Sequence, residues 1–236
     1  MTAILVKFSQ LFLSFFLVTV VHEYGHFFWA RIFGMKVERV QVFGFSLISW
    51  TSKTTGTKFG LGWLPLGGYC LLPDLHAEQS SWKKIVVLSG GVVNNLVLGF
   101  IIFMAIAWLR TPDVANQAHV AAARGAEMFA NSLPDTSQVD ISDSGGLISV
   151  ANIFGSTWRW FRFWFITASL SVFMALCNLI PIPGLDGGQI TFTAIEVVMR
   201  RPINENVKLC ANLLGLLLVF AFFVYGNYND ICRLLD

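Results

Sequence analysis

Residues 16–33 read FLVTVVHEYGHFFWARIF. Most of this stretch is apolar, the kind of run that crosses a bilayer as a helix of about 20 residues. Two histidines and a glutamate interrupt it. Ionisable groups at membrane depth are costly, and as a rule they are functional. On a helix, His22 and His26 lie one turn apart on one face, so two imidazoles can grip one metal ion. Glu23 points into the neighbouring sector, where it can serve as a base toward water. Gly25 weakens a helix but lets another segment approach closely. The alternative is a buried polar trio that hydrogen-bonds between spans. The stretch therefore predicts a first span with a metal site inside it.

The rest of the chain agrees with a membrane setting. Of its 236 residues, 55% are hydrophobic and 13% charged, against roughly 25% charged in an ordinary soluble domain. A net charge of +2 with no dense basic cluster argues against a nucleic-acid partner and leaves the lipid bilayer as the medium. The expected fold is an α-helical polytopic membrane protein in one domain, 1–236, with about four transmembrane helices at about 3–30, 85–109, 160–180 and 207–226. The first is too long, and too weakly basic at its start, for a cleavable signal peptide.

Lysine and arginine set the orientation. They crowd the loop after span one (Arg31, Lys36, Arg39, Lys53, Lys58, Lys83, Lys84) and the loop after span three (Arg200, Arg201, Lys208). The segment 110–157 instead carries Asp113, Glu127, Asp135, Asp140 and Asp143. Loops one and three are placed in the cytoplasm, 110–157 as a short extracytoplasmic segment, and both termini outside. The cysteines (Cys70, Cys177, Cys210, Cys232) form no CxxC pair and predict packing residues rather than a disulfide framework.

Residues 37–69 carry a strand pattern. Phe59, Leu61 and Trp63 alternate with Lys58, Gly60 and Gly62 after a Thr-Thr-Gly turn. So much apolar surface beside a span suits a membrane-associated β hairpin that dips into the bilayer under cover of protein or a water-filled cavity. The alternative is an amphipathic hairpin lying on the surface.

Two histidines alone hold a metal weakly, and catalytic zinc takes three protein ligands with one position left for water. The acid at membrane depth that fits is Asp186 in NLIPIPGLDGGQ, 178–189. Pro181 and Pro183 end span three, and Gly184, Gly187 and Gly188 let the broken backbone approach a partner. The alternative for Asp186 is a polar cap on the next helix. Glu196 lies beside the basic loop and reads as a solvated helix face. Asn94 and Asn178 are polar at membrane depth. They could hold an extended peptide by its backbone or orient an oxyanion; the alternative, stronger for the adjacent Asn95, is interhelical hydrogen bonding. His76 and His119 lack a partner motif and read as surface residues.

These residues resemble the site-2 protease family, the intramembrane zinc metalloproteases of peptidase family M50, and most of all the bacterial group of the regulator of sigma-E protease. The resemblance rests on HEYGHFFWARIFGMKVERVQVFGF, GT at 56–57, PLGGY at 65–69, SGGVVNN at 89–95, GLISVA at 146–151 and NLIPIPGLDGGQITFTAIE at 178–196. It implies one Zn²⁺ held by His22, His26 and Asp186, Glu23 as catalytic base, and substrate contacts from Asn94 and Asn178. The family's G-P-x-x-N pattern meets Gly91 in place of its proline. The family's membrane-dipping β region matches 37–69. The implied activity is peptide hydrolysis in or near transmembrane segments of single-span proteins, such as anti-sigma factors or signal-peptide remnants, in the bacterial inner membrane. That group usually carries PDZ domains between spans two and three; there is room for none here, which leaves substrate selection open. Two other classes compete: a catalytically silent membrane-protein binding scaffold, and a metal transporter or sensor.

Overall fold

A computed structural model describes residues 2–73, 80–110 and 145–235. In chain order the elements are α1 (Thr2–Ile32), β1 (Arg39–Thr51), β2 (Lys58–Leu71), α2 (Ser81–Arg110), α3 (Leu147–Phe154), α4 (Trp160–Leu179), α5 (Asp186–Met199) and α6 (Glu205–Leu235). Four of these, α1, α2, α4 and α6, are long and apolar enough to cross a membrane. The chain is thus a multi-pass helical protein with a small sheet between its first two spans, as the sequence predicts. His76, His119 and most of 110–157 lie outside the described residues.

The helices meet where side chains are small. A Cβ on Gly25 would overlap the carbonyl oxygen of Gly90, and a Cβ on Gly90 would lie 2.7 Å from the carbonyl oxygen of Gly25. The backbones of α1 and α2 therefore touch. Membrane helices lack a hydrophobic drive to associate and use such close approach together with buried polar bonds. Ser14 on α1 donates to Thr167 on α4 at 2.9 Å, and Ser171 on α4 donates to the carbonyl of Asn95 on α2 at 2.8 Å.

The sheet is more than a plain hairpin. Thr51 pairs with Lys58 and Trp50 with Phe59, an antiparallel hairpin closed by residues 52–57. The first stretch of β1 also pairs on two sides: Val40 faces Phe59 in a parallel sense and Cys70 in an antiparallel one. Both strands bend to allow this, and β1 turns at Phe43 and Phe45, which hold φ of 66° and 52°. Buried Phe43 rests against Phe12 and Phe16 at 5.3 and 6.0 Å between ring centroids. Phe12 is ten residues before His22, so the sheet climbs α1 about 15 Å past it. Phe45, Leu47, Ile48, Trp50 and Trp63 are exposed on the sheet. That apolar surface at this height fits a hairpin dipping into the bilayer. Strand pairing spans 39–71, shifted by two residues from the predicted 37–69. Cys70 packs with Ala30, Met35, Val37, Val40, Leu72 and Val87, and none of the four cysteines is in a disulfide.

Four points extend the sequence reading or differ from it, each for a physical reason. The connection between spans three and four is partly a helix, α5, which starts directly at Asp186 once Pro181 and Pro183 have ended α4. The last span is longer than 207–226 because its polar flanks are helical too. The end of the 110–157 segment forms α3, whose first backbone amides are capped by α6. Asp230 accepts from the N–H of Ile148 at 2.8 Å and of Ser149 at 3.0 Å, and Asn227 accepts from Leu147 N–H at 3.3 Å. Glu196 does not face solvent alone: it pairs with Lys208 at 2.7 Å and accepts from Ile203 N–H at 3.0 Å, joining α5 to α6.

Candidate metal centre

The HEYGH turn lies where α1 is most enclosed. His22, Glu23 and His26 are 5%, 3% and 6% exposed. Their neighbours come from three other elements. Gly91 of α2 sits directly against both imidazoles: a Cβ there would lie 2.5 Å from His26 Nε2 and 2.6 Å from His22 Cε1. Gly68 of β2 sits against the glutamate, and a Cβ there would lie 2.8 Å from Glu23 Oε1. Asp186, first residue of α5, brings its carboxylate to the imidazoles.

The three predicted ligands come together. His22 Nε2 and His26 Nε2 are 3.2 Å apart, and Asp186 Oδ2 lies 3.1 Å from the first and 3.3 Å from the second. A tetrahedral ion with bonds near 2.0–2.1 Å separates its ligands by about 3.3 Å. The triangle therefore has the edge lengths of one face of such a site.

The donor chemistry fits a cation as well. His26 Nδ1 lies 2.9 Å from the carbonyl oxygen of Val87. A carbonyl only accepts, so Nδ1 carries a proton, and in the neutral imidazole Nε2 then presents a bare lone pair. Asp186 Oδ2 is buried and makes no hydrogen bond, and neither does Glu23 Oε2. Lone pairs aimed at one another with two carboxylates beside them are stable at membrane depth when a cation compensates them. His22, His26 and Asp186 could thus hold a divalent metal, and they are the group of three or more candidate ligands among the described residues.

Asn94 and Asn178 stand apart from this triangle. Asn94 Nδ2 donates to the carbonyl of Val21 at 3.4 Å, and Asn178 Nδ2 donates to Met174 in its own helix at 3.1 Å. The residue that reaches the histidines is Asn95, with its amide 3.3 Å from His22 Nδ1. Gly91, Asn95 and Gly99 recur every four residues, a stripe on one face of α2 that could have marked it.

Comparison with known proteins agrees with this geometry. The model of the family described as Peptidase family M50 matches residues 10–222. A protein of Campylobacter jejuni named as a zinc metalloprotease is 24% identical over an alignment covering 91% of this chain and 90% of its own. One of Mesorhizobium japonicum, named likewise, is 33% identical over 67% of this chain and 44% of its own. The metalloprotease MmpA of Caulobacter vibrioides is 40% identical over 30% of this chain and 18% of its own. The alignment with the first runs to 333 positions, more than the 236 of this chain, so that relative carries insertions opposite gaps here.

Proposed function

The chain belongs to peptidase family M50 and is a metalloprotease, and from that premise we propose that it hydrolyses peptide bonds in or near the transmembrane segments of single-span membrane proteins. The observation that carries this reading is the triangle of His22 Nε2, His26 Nε2 and Asp186 Oδ2, two corners of it on a membrane-crossing helix, at tetrahedral edge lengths. His22, His26 and Asp186 would hold one zinc ion. Bound there, zinc supplies Lewis-acid polarisation of the scissile carbonyl and of the attacking water.

The protein's own groups do the rest. Glu23, one residue from the first ligand and buried against Gly68, takes the proton of the attacking water and returns it to the leaving amine. A substrate helix hides its carbonyls in its own hydrogen bonds, so it must unwind before attack. The sheet offers an edge for that extended strand: Gly68–Leu71 pairs with β1 on one side, and its Gly68 lies against Glu23. Asn94, beside the carbonyl of Val21, and Asn178, near the C-terminal end of α4, are both half-buried amides and hold the strand's backbone. Proline substitutions along both sheet edges that left cleavage untouched would remove the strand-pairing step.

The positions of Lys and Arg support an orientation with the metal centre near the cytoplasmic face and both termini outside, and the bacterial relatives support an inner-membrane setting. Lys83 over the rings of Phe33 and Trp82, each at 5.9 Å, fits an interfacial anchor at that end. Anti-sigma factors and signal-peptide remnants are the kind of partner this would take.

The test is zinc per purified chain in the wild type, Asp186→Asn and Glu23→Gln, with cleavage of a single-span substrate. The expected result is about one zinc in the wild type and Glu23→Gln, loss in Asp186→Asn, and cleavage only by the wild type. No zinc in the metal-replete wild type, or full zinc in Asp186→Asn, would overturn the site. Full zinc without cleavage of any transmembrane substrate would favour the silent scaffold.

A further inference from the structure

The two imidazoles face the same metal position but are held by different means. His26 is held by a backbone carbonyl, Val87 O at 2.9 Å from its Nδ1. The group that the structure gives His22 Nδ1 is a side chain, the Asn95 amide at 3.3 Å.

We propose that Asn95 is a positioning residue for the metal site: its side-chain oxygen accepts the Nδ1 proton of His22 and so turns a bare Nε2 toward His26 and Asp186. The inference rests on the metal reading above. Asn95 is fully buried, and its Oδ1 has no hydrogen-bond partner while Nδ2 lies toward the imidazole. A half-turn of the amide exchanges the two atoms without moving anything else. With Oδ1 at Nδ1, the orphaned acceptor is satisfied and His22 takes the same tautomer as His26. With Nδ2 there, the His22 proton sits on Nε2, aimed at His26 Nε2 3.2 Å away, and the nitrogen cannot ligate. Metal binding therefore selects the first orientation.

The backbone that carries the amide is tied to its neighbours: Ser171 of α4 donates to the backbone carbonyl oxygen of Asn95 at 2.8 Å, and Gly91, one turn earlier on the same face of α2, lies against both imidazoles. Partners of this kind orient ligand histidines, and losing one typically costs 10–100-fold in metal affinity. Neighbouring Asn94 faces the carbonyl of Val21 instead and has no such part.

The experiment titrates metal-stripped full-length protein in detergent with zinc against a chromogenic chelator. It compares the wild type with Asn95→Leu, which has similar size and no polar atom, and Asn95→Asp, which can only accept. The expected result is zinc affinity about 10–100-fold weaker for Asn95→Leu and close to wild type for Asn95→Asp, with the Co²⁺ absorption of the aspartate variant still tetrahedral. Asn95→Ala, which leaves space rather than filling it, is expected to weaken binding like the leucine variant and replaces it should that one fail to fold. Wild-type affinity in both apolar variants would overturn the inference while leaving the metal site standing. An aspartate variant as weak as the apolar ones would also overturn it, because the acceptor is then not what matters. A wild type that binds no zinc would overturn the metal reading itself.

Discussion

The first and last spans have almost the same hydropathy and opposite surroundings. The most apolar windows of α1 and α6 score 2.1 and 2.3 in mean hydropathy, yet 28% of the first window and 6% of the second are buried in the protein. Most of what α1 buries is polar or small: Gln10, Ser14, Thr19, His22, Glu23, Gly25, His26 and Ala30, with Leu11 and Val18 beside them. What α6 exposes is large and apolar: Leu216, Leu217, Leu218, Phe220 and Phe222 are all more than half exposed. It meets the rest of the protein near its two ends, through Lys208, Asn212 and Gly215 at one and Asn227 and Asp230 at the other. Within a bilayer, apolar bulk marks the side toward lipid, and small or polar residues mark the side toward protein. Of these two spans, the chemistry sits on the one that packs against the protein.

The strongest way to break this contrast is to put bulk where α1 has none. In Gly25→Leu the new side chain meets the carbonyl of Gly90, and α1 and α2 must separate with the ligands between them. Overpacking of this kind costs about 1–3 kcal/mol or more. The expected outcome is protein with no bound zinc and no peptidase activity. The matching change on α6, Leu217→Ala, removes a side chain that is 61% exposed. It should leave zinc content and activity within about twofold and stability within about 0.5 kcal/mol. Metal analysis and a cleavage assay on both variants decide it. A Gly25→Leu protein that keeps its zinc would mean the crossing is not what holds the site.

Much of this was legible in the sequence, and the part that was not has one cause. Spans and strands announce themselves by periodicity within a single element. His22 and His26 do so too, because a helical turn brings i and i+4 together. Asp186 could be found as the acid beside a proline break. Contacts between elements leave no such mark. Gly91 reads in the sequence as a departure from a proline-bearing pattern; in the structure it is the space that the imidazoles occupy. Asn95 is one residue from Asn94 but 100° around the helix, so the choice between them depends on which face of α2 meets α1. Glu196 looks solvated until Lys208 comes back from the next helix to meet it. The double pairing of β1 is invisible for the same reason: alternation tells which residues form a strand, and not how many neighbours that strand has.

A smaller effect sharpens the contrast within the site itself, between residues that hold the metal and residues that use it. The atoms nearest to a Cβ on Gly68 belong to Gln41 and Glu23: it would lie 2.6 Å from the Gln41 carbonyl oxygen and 2.8 Å from Glu23 Oε1. Gly68→Ala should therefore push the carboxylate off its seat and leave the ligands alone. Misplacement by about 1 Å can cost on the order of 100-fold in rate. The expected variant keeps full zinc and loses about 10–100-fold in kcat/KM. Loss of zinc together with activity would instead make β2 a support for the ligands.

The smallest effect concerns the N-terminal end of α6, where few contacts hold it. Burial alone would raise the Glu196 carboxyl, but the Lys208 ammonium and the Ile203 N–H outweigh it and keep the group below its ordinary value. A carboxylate lowered in the folded state adds stability that is fully present above its unfolded pKa, about 4.3, and is lost as pH falls through the folded value. Glu196→Gln keeps an acceptor for Ile203 and removes only the charge. Lys208 retains Glu205 at 3.1 Å, so the loss should be modest, about 1 kcal/mol or less at neutral pH. Thermal unfolding of wild type and variant should differ slightly at pH 7 and converge below pH about 4. If the gap stayed constant to low pH, charge would not be what pins α6. If no gap appeared at any pH, the helix would be held by the Pro183–Gly215 backbone contact and the Asn212 bond to Gly184. The contrast with α1 would then rest on packing at both ends of the chain, with electrostatics confined to the metal centre.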